Sequence, residues 1–349
     1  MNARSGILAG GNWIVDKVKF IDTFPLQDAL ANIHSESISN GGSPFNVLID
    51  LVRLGATFPL AGIGLVGSDP DGEWVLQQCA THGIDSTQLR IHPEAHTSYT
   101  DVMTVQATGR RTFFHQRGAN AFLGPEHFEF AAGNAKMFHL GYLLLLDRLD
   151  QSDSDYGTAA ARVLRGATEA GYKTSVDVVS EDSRRFAQIV LPALRHVDYC
   201  ILNEFEIGRT TGIETRQNET IDLRALEAAS RRFLEAGVRE WVIVHFPEGA
   251  CALGRDLVLK TQGSLCVPQS KIISSVGAGD AFAAGVLYGL HEEVAIETAL
   301  EYGVAAAASC LFGAGTSCGI RPLDECLNLV KAFGTQRLEG TGYVRPGTA

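Results

Sequence analysis

Apolar residues in this chain fall into short dense runs closed by glycine, separated by stretches in which apolar positions recur at helical spacing. Gly6-Ile7-Leu8-Ala9-Gly10-Gly11 reads as a first buried strand ending in a glycine turn, and residues 60–66 read as the next strand. Residues 47–55, and the segment from Gly72 towards His82-Gly83-Ile84-Asp85, carry helix patterns. Between Tyr99 and His115 the pattern alternates about a Gly109-Arg110 turn, which predicts a hairpin. Beyond it, strands at 136–140, 173–179, 199–202 and 241–244 interleave with helices at 156–171, 184–191 and 223–235. An Asp- and Ser-rich loop spans 143–155, and two more helices are predicted at about 280–290 and 295–311. Such alternation predicts an α/β fold, a mostly parallel sheet with helices on both faces.

Composition narrows the class. The 349 residues are 45% hydrophobic, which suits one large α/β domain or two smaller ones. A net charge of -11 with no basic block argues against nucleic acid as a partner. Seven cysteines, odd in number and without a C-x-x-C pair, fit buried free thiols in a reducing cytosol. The apolar run near the N-terminus is too short for a secretory signal, and no stretch of about 18 apolar residues marks a membrane span. A cytoplasmic chain without a membrane partner is therefore expected. None of the ten histidines has H-E-x-x-H or similar spacing, which argues against zinc.

Four stretches carry candidate chemistry. In Ser274-Ser275-Val276-Gly277-Ala278-Gly279-Asp280, glycines precede a helix start, where free N–H groups and the helix dipole can hold an anion. Asp280 reads either as a helix cap or as a base that takes a proton from a substrate hydroxyl. A dinucleotide fingerprint would need glycine where Phe282 stands, which weakens the reading as a dinucleotide-dependent oxidoreductase; no P-loop motif occurs. Gly41-Gly42-Ser43-Pro44-Phe45-Asn46 opens another helix and can bring backbone close to a ligand. Asp16 follows the first strand, where open α/β sheets bind ligands. Asn203 and Glu206, after the strand at 199–202, read as a helix cap or as outer partners of Mg²⁺ beside phosphates.

Taken in order, Gly277-Ala278-Gly279-Asp280-Ala281-Phe282 and Gly41-Gly42 with Asn46 resemble the two signatures of the ribokinase-like (PfkB) carbohydrate kinases, and the resemblance runs over residues 6–330. It implies a three-layer α/β sandwich spanning residues 1–335, with a small β-sheet lid from roughly 12–40 and 95–120, and a tail at 336–349. It implies ATP-dependent phosphorylation of a sugar hydroxyl, with Asp280 as general base and Gly277, Ala278 and Gly279 forming the anion hole. Asp16, Gly41, Gly42 and Asn46 would hold the sugar, with His115, Arg117 and Asn120 as lid or substrate contacts. Asn203 and Glu206 would organise Mg²⁺ and ATP, with Glu206 the residue assigned to the metal. His245 and Gly249 fall where relatives touch the nucleotide, although His245 and Pro247 depart from the usual small residues. The last turn of the helix at 295–311 would wall the adenine. Ser274 replaces the Asp that often helps bind a monovalent cation, which argues against K⁺ activation. The same fold accommodates nucleoside kinases and sugar-binding relatives without catalysis, and an exposed lid edge could pair two copies.

Overall fold

In the computed structural model, residues 4–131, 133–217, 220–339 and 342–343 are described. Of the predicted tail, residues 340, 341 and 344–349 lie outside them. The chain runs β1 (Ile7–Gly11), β2 (Ile14–Ile21), β3 (Ile33–Gly41), α1 (Ser43–Arg53), β4 (Leu60–Gly67), α2 (Pro70–Thr81), β5 (Asp85–His92), β6 (Ser98–Val105), β7 (Arg111–Gln116) and β8 (Met137–Leu143). It continues through α3 (Ala159–Glu169), β9 (Lys173–Val178), α4 (Phe186–Ala193), β10 (Tyr199–Asn203), α5 (Glu204–Thr211), α6 (Leu223–Ala236), β11 (Trp241–Phe246), β12 (Gly249–Gly254) and β13 (Lys260–Gly263). Helices α7 (Ala278–His291), α8 (Ile296–Cys310) and α9 (Leu323–Phe333) follow.

Nine strands form the main sheet in the order β13-β12-β11-β10-β9-β8-β1-β4-β5. From β11 to β5 neighbouring strands are parallel, while β12 and β13 add antiparallel at one end. Side chains alternate between two cores because the strand period is two. Ile7 and Ala9, Tyr199 and Ile201, and Ala250 and Ala252 pack under α1, α2, α7 and α8. Leu8, Cys200 and Leu202, and Cys251 and Leu253 pack under α3, α4 and α6. Three layers result, as the alternating pattern predicts. Four further strands, β3-β2-β6-β7, make a small separate sheet. It contains the predicted hairpin as β6 and β7, and β2 pairs with β6 in parallel register.

Strands β5, β12 and β13 and helix α9 are absent from the sequence reading. Strand β5 at the sheet edge buries only Leu89 among exposed and half-buried residues, so its apolar signal is weak. Strand β12 (GACALG) is fully buried but built from small residues that score low in any pattern. Helix α9 lies beyond the helix read as the last one.

Strand β1 pairs with β4 on one side and β8 on the other, so the chain reverses its direction of travel across the sheet between β1 and β8. A crevice opens beyond the C-terminal ends of the strands at such a point. The start of α7 and the small sheet both border it.

Candidate active site

Helix α7 opens on Gly277, whose φ of 76° is left-handed, and a Cβ there would lie 2.3 Å from the Thr316 carbonyl oxygen. The first turn, Ala278 to Asp280, precedes any intrahelical acceptor, so its N–H groups lie at the positive end of the dipole. The Ala278 N–H makes only a long 3.4 Å contact with the Ser275 carbonyl. Cys310 Sγ, at the end of α8, lies 3.2 Å from both the Val276 and Thr316 carbonyls and ties the turn down. From β7, Arg111 donates to the hydroxyls of Ser274 (3.4 Å) and Ser275 (3.0 Å).

Asp280 sits in the first turn and is 8% exposed. The Tyr142 hydroxyl lies 2.7 and 2.8 Å from its two oxygens, and Asn46 Nδ2 donates to Oδ2 at 2.8 Å. Asn46 is oriented in turn, because its Oδ1 accepts from Asn40 Nδ2 at 2.7 Å and leaves the amide NH₂ facing Asp280. It comes from α1, which is capped by Gly42 at φ 81°; a Cβ there would lie 2.1 Å from the Asn12 carbonyl oxygen. Burial, then the nearby Asp177 charge, raises the pKa of Asp280 to about 7, while the bonds from Asn46 and Tyr142 pull it down. A carboxylate with that value ionises near neutral pH, where a general base works best. Burial and the Asp280 charge push the Tyr142 phenol well above its ordinary range, so it stays protonated as a donor.

Asp16 on β2 lies in the same cleft. Burial, then repulsion from Asp280, raises its pKa to about 7 against a hydrogen bond from Thr100. Behind the two acids runs a buried polar chain. Ser43 donates to Asp177, its oxygen lies 2.9 Å from His139 Nε2, and His139 Nδ1 lies 2.8 Å from Ser175 Oγ. With Ser43 donating forward, its oxygen accepts from His139 Nε2–H, which fixes the tautomer.

Two clefts of about 460 and 490 Å³ meet at the start of α7. The first is lined by Asp16, Gly42, Asn46, Thr100, His115, Tyr142, Asp177, Glu206 and Asp280, with Ile14, Phe113 and Leu145 as apolar wall. The second is lined by Gly249, Leu265, Val267, Phe282, Val304, Ala307, Ala308 and Leu311. Asn203, His245 and Gly279 border both, and Ala278 borders the second. His245 stays neutral, because burial lowers its pKa to about 4.

Asn203 and Glu206 form a reciprocal cap at the start of α5: Asn203 Oδ1 accepts the Glu206 N–H at 2.9 Å, and Glu206 Oε2 accepts the Asn203 N–H at 2.8 Å. Glu206 Oε1 accepts from Ser180 Oγ (2.7 Å) and Asn203 Nδ2 (2.8 Å), and burial raises its pKa to about 8. Among the described residues no three His, Cys, Asp or Glu side chains converge as a metal cage. A hard cation that arrives on a nucleotide and keeps its water fits this donor set, because Mg²⁺ seldom sheds its shell for protein ligands.

Of the residues named from the sequence, the structure gathers Asp16, Gly42, Asn46, Asn203, Glu206, His245, Gly249 and Gly277 to Asp280 around these clefts. Gly41 lies behind Asp16, where a Cβ would come 2.4 Å from its carboxylate. Asn120 lines neither cleft; it is fully buried and clamps the Trp13 backbone, accepting from Trp13 N (3.3 Å) and donating to Trp13 O (3.0 Å). Arg117 stands outside as well, 3.4 Å from Asp147. Tyr142, Asp177, Ser43 and His139 were missed. Asp177 left a signal, a lone carboxylate near the end of an apolar strand (KTSVDV), whereas Tyr142 lay hidden inside the run Met137–Leu143.

A profile of the pfkB family carbohydrate kinases matches residues 12–321. A 5-dehydro-2-deoxygluconokinase of Clostridium beijerinckii is 26% identical over 313 residues, 83% of this chain and 84% of its own. The structure of Arabidopsis thaliana ribokinase with ribose and ATP superposes with a TM-score of 0.75 at 20% identity, over 94% of this chain and 99% of that one. An E. coli structure in complex with ATP and Mg²⁺ gives 0.73, also at 20% identity, over 94% and 99%. The likeness to both solved structures is one of fold.

Proposed function

Since this chain belongs to the pfkB family of carbohydrate kinases, we propose that it transfers the γ-phosphate of ATP to a sugar hydroxyl, with Asp280 as the general base. The observation that carries this reading is a buried carboxyl poised near neutrality within the first turn of α7, where the two clefts meet. The sugar occupies the first cleft, its hydroxyls held by Asp16, Asn46 and the backbone at Gly42. ATP occupies the second, with its base against the apolar end of α8 and its phosphates towards Gly277 to Gly279. Asp280 accepts the proton of the attacking hydroxyl, while Tyr142 and Asn46 hold its carboxylate in place. The first-turn N–H groups stabilise the charge that develops on the transferring phosphoryl group. Mg²⁺ bound with the nucleotide would neutralise phosphate charge, reached through water by Glu206 and Asn203. Arg111 supplies a fixed positive charge beside Ser274, so turnover needs no K⁺.

The small sheet acts as the lid that keeps water from the phosphate. Its outer strand β3 exposes backbone edge and the side chains Ile33 and Ile38, and we assign this edge to pairing with a second copy. All seven cysteines are free, and among the described residues no helix is long and apolar enough to cross a membrane; we place the enzyme in the cytoplasm.

The test is ADP formation against a panel of sugars and nucleosides, repeated with Asp280→Asn. Turnover with one strong sugar acceptor, nearly abolished by the substitution, supports the reading. Preference for a nucleoside, or near-normal turnover of Asp280→Asn, rejects it.

A further inference from the structure

The acids around the first cleft have no strong base beside them in its lining. Asp16, Asp177, Glu206 and Asp280 line it, and among the described residues no lysine or arginine does. The lysines of the lid strand β2 are engaged elsewhere. Lys17 pairs with Asp71 at 2.7 Å and Lys19 pairs with Asp101, while Arg117, whose charge reaches His115, stands 3.4 Å from Asp147 and outside the cleft lining. Arg111 is drawn to the Ser274 and Ser275 hydroxyls, on the loop that leads into the nucleotide side. His115, the one other basic side chain on the lid face of the cleft among the described residues, is kept neutral by burial and then by the Arg117 charge.

His115 also leaves a polar atom open. Its Nδ1 lies 3.0 Å from Thr100 Oγ1, but its Nε2 is buried without a hydrogen-bond partner. A buried polar atom left unmatched is costly, and a ligand that satisfies it gains accordingly. A hydroxyl has the right chemistry, since it can donate or accept whichever tautomer is present. Beside it, Ile14, Phe113 and Leu145 form the kind of wall that suits the C–H face of a sugar ring.

We propose that the acceptor is an uncharged polyhydroxy compound, without carboxylate or phosphate, that seats one hydroxyl on Nε2 of His115. This rests on the sugar-kinase reading and narrows it. An anionic group on the acceptor would face Asp16 and Asp280 with no lysine or arginine among the described residues lining the cleft to receive it, and like charges brought together at a buried site weaken binding by roughly two orders of magnitude or more.

Matched pairs test the proposal at pH 8.5, where Asp16 and Asp280 are ionised: an aldose and its aldonate, and a free hexose and its phosphate, each titrated by calorimetry in the absence of nucleotide. The uncharged member of the best-bound pair should bind roughly 100-fold more tightly than its anionic counterpart. His115→Leu should weaken that binding about tenfold, and His115→Gln, which restores a polar group, should recover part of the loss. Equal or tighter binding of the aldonate or the sugar phosphate overturns the charge argument. Unchanged binding in His115→Leu overturns the assignment of Nε2. Because binding is read without turnover, a sugar that binds with the expected preference yet yields no ADP rejects the kinase reading and leaves this one standing.

Discussion

Tyr142→Phe removes one hydroxyl and leaves the ring. In the native site that hydroxyl donates to both oxygens of Asp280, at 2.7 and 2.8 Å, within a buried cluster. A hydrogen bond to a charged group contributes about 1.5–3 kcal/mol. It favours the ionised form, so its loss destabilises the carboxylate relative to the acid. At about 1.4 kcal/mol per pH unit, the acid limb of the activity profile should move upward by about one to two pH units. The native value of about 7 places that limb near neutrality. At pH 7 the variant would therefore hold only about one-tenth or less of its base in the active form, and kcat/KM should fall roughly ten-fold, with recovery at pH 9. The assay is kcat/KM for the acceptor from pH 5.5 to 9.5, both proteins at saturating ATP, with thermal melts to show that the variant packs as the native protein does. A profile displaced to higher pH supports the role given to Tyr142. A loss that is the same at every pH, or an unmoved limb, refutes it, because a purely steric effect has no such dependence.

Asp280→Asn should lower kcat by at least about 10³ while acceptor affinity changes less than about fivefold, measured by coupled assay and calorimetry. Asp50→Asn addresses stability: Asp50 is fully buried, and burial raises its pKa well above the ordinary carboxyl value. Its raised value means that stability present at acid pH is lost as pH climbs above the unfolded value, so the gain from the amide, measured by urea unfolding, should be larger at pH 8 than at pH 5.5. Equal gains at both pH values would contradict the assignment. Ala308→Phe, at the wall of the second cleft, should raise KM for ATP about tenfold or more and leave sugar binding intact; the opposite pattern would exchange the two clefts. Replacement of K⁺ by tetramethylammonium should leave kcat within about twofold, and strong K⁺ activation would show that Arg111 does not serve as the cation beside Ser274.

What the sequence determined by itself is what local physics encodes. The alternation of strand and helix required a sheet with helices on both faces, because each apolar stripe needs a partner. Glycines before α1 and α7 announced backbone geometry that few other residues tolerate, and Gly277 and Gly42 do take positive φ there. The placement of Asp280 in a helix's first turn followed from the same motif. What surrounds that acid was decided by tertiary contact alone. Tyr142 and Asn46 reach it from 138 and 234 residues away in the chain, and no local pattern records such a meeting. Sequence likewise offered Asn120 as a ligand contact, since an Asn in a loop looks the same whether it faces a sugar or a backbone; here it is spent on Trp13. The pKa near 7 has the same origin, because desolvation and the Asp177 field arise only once the sheet has closed over the site. The chain thus names its chemistry locally, and long-range packing sets the proton affinity and polarity that make the chemistry work.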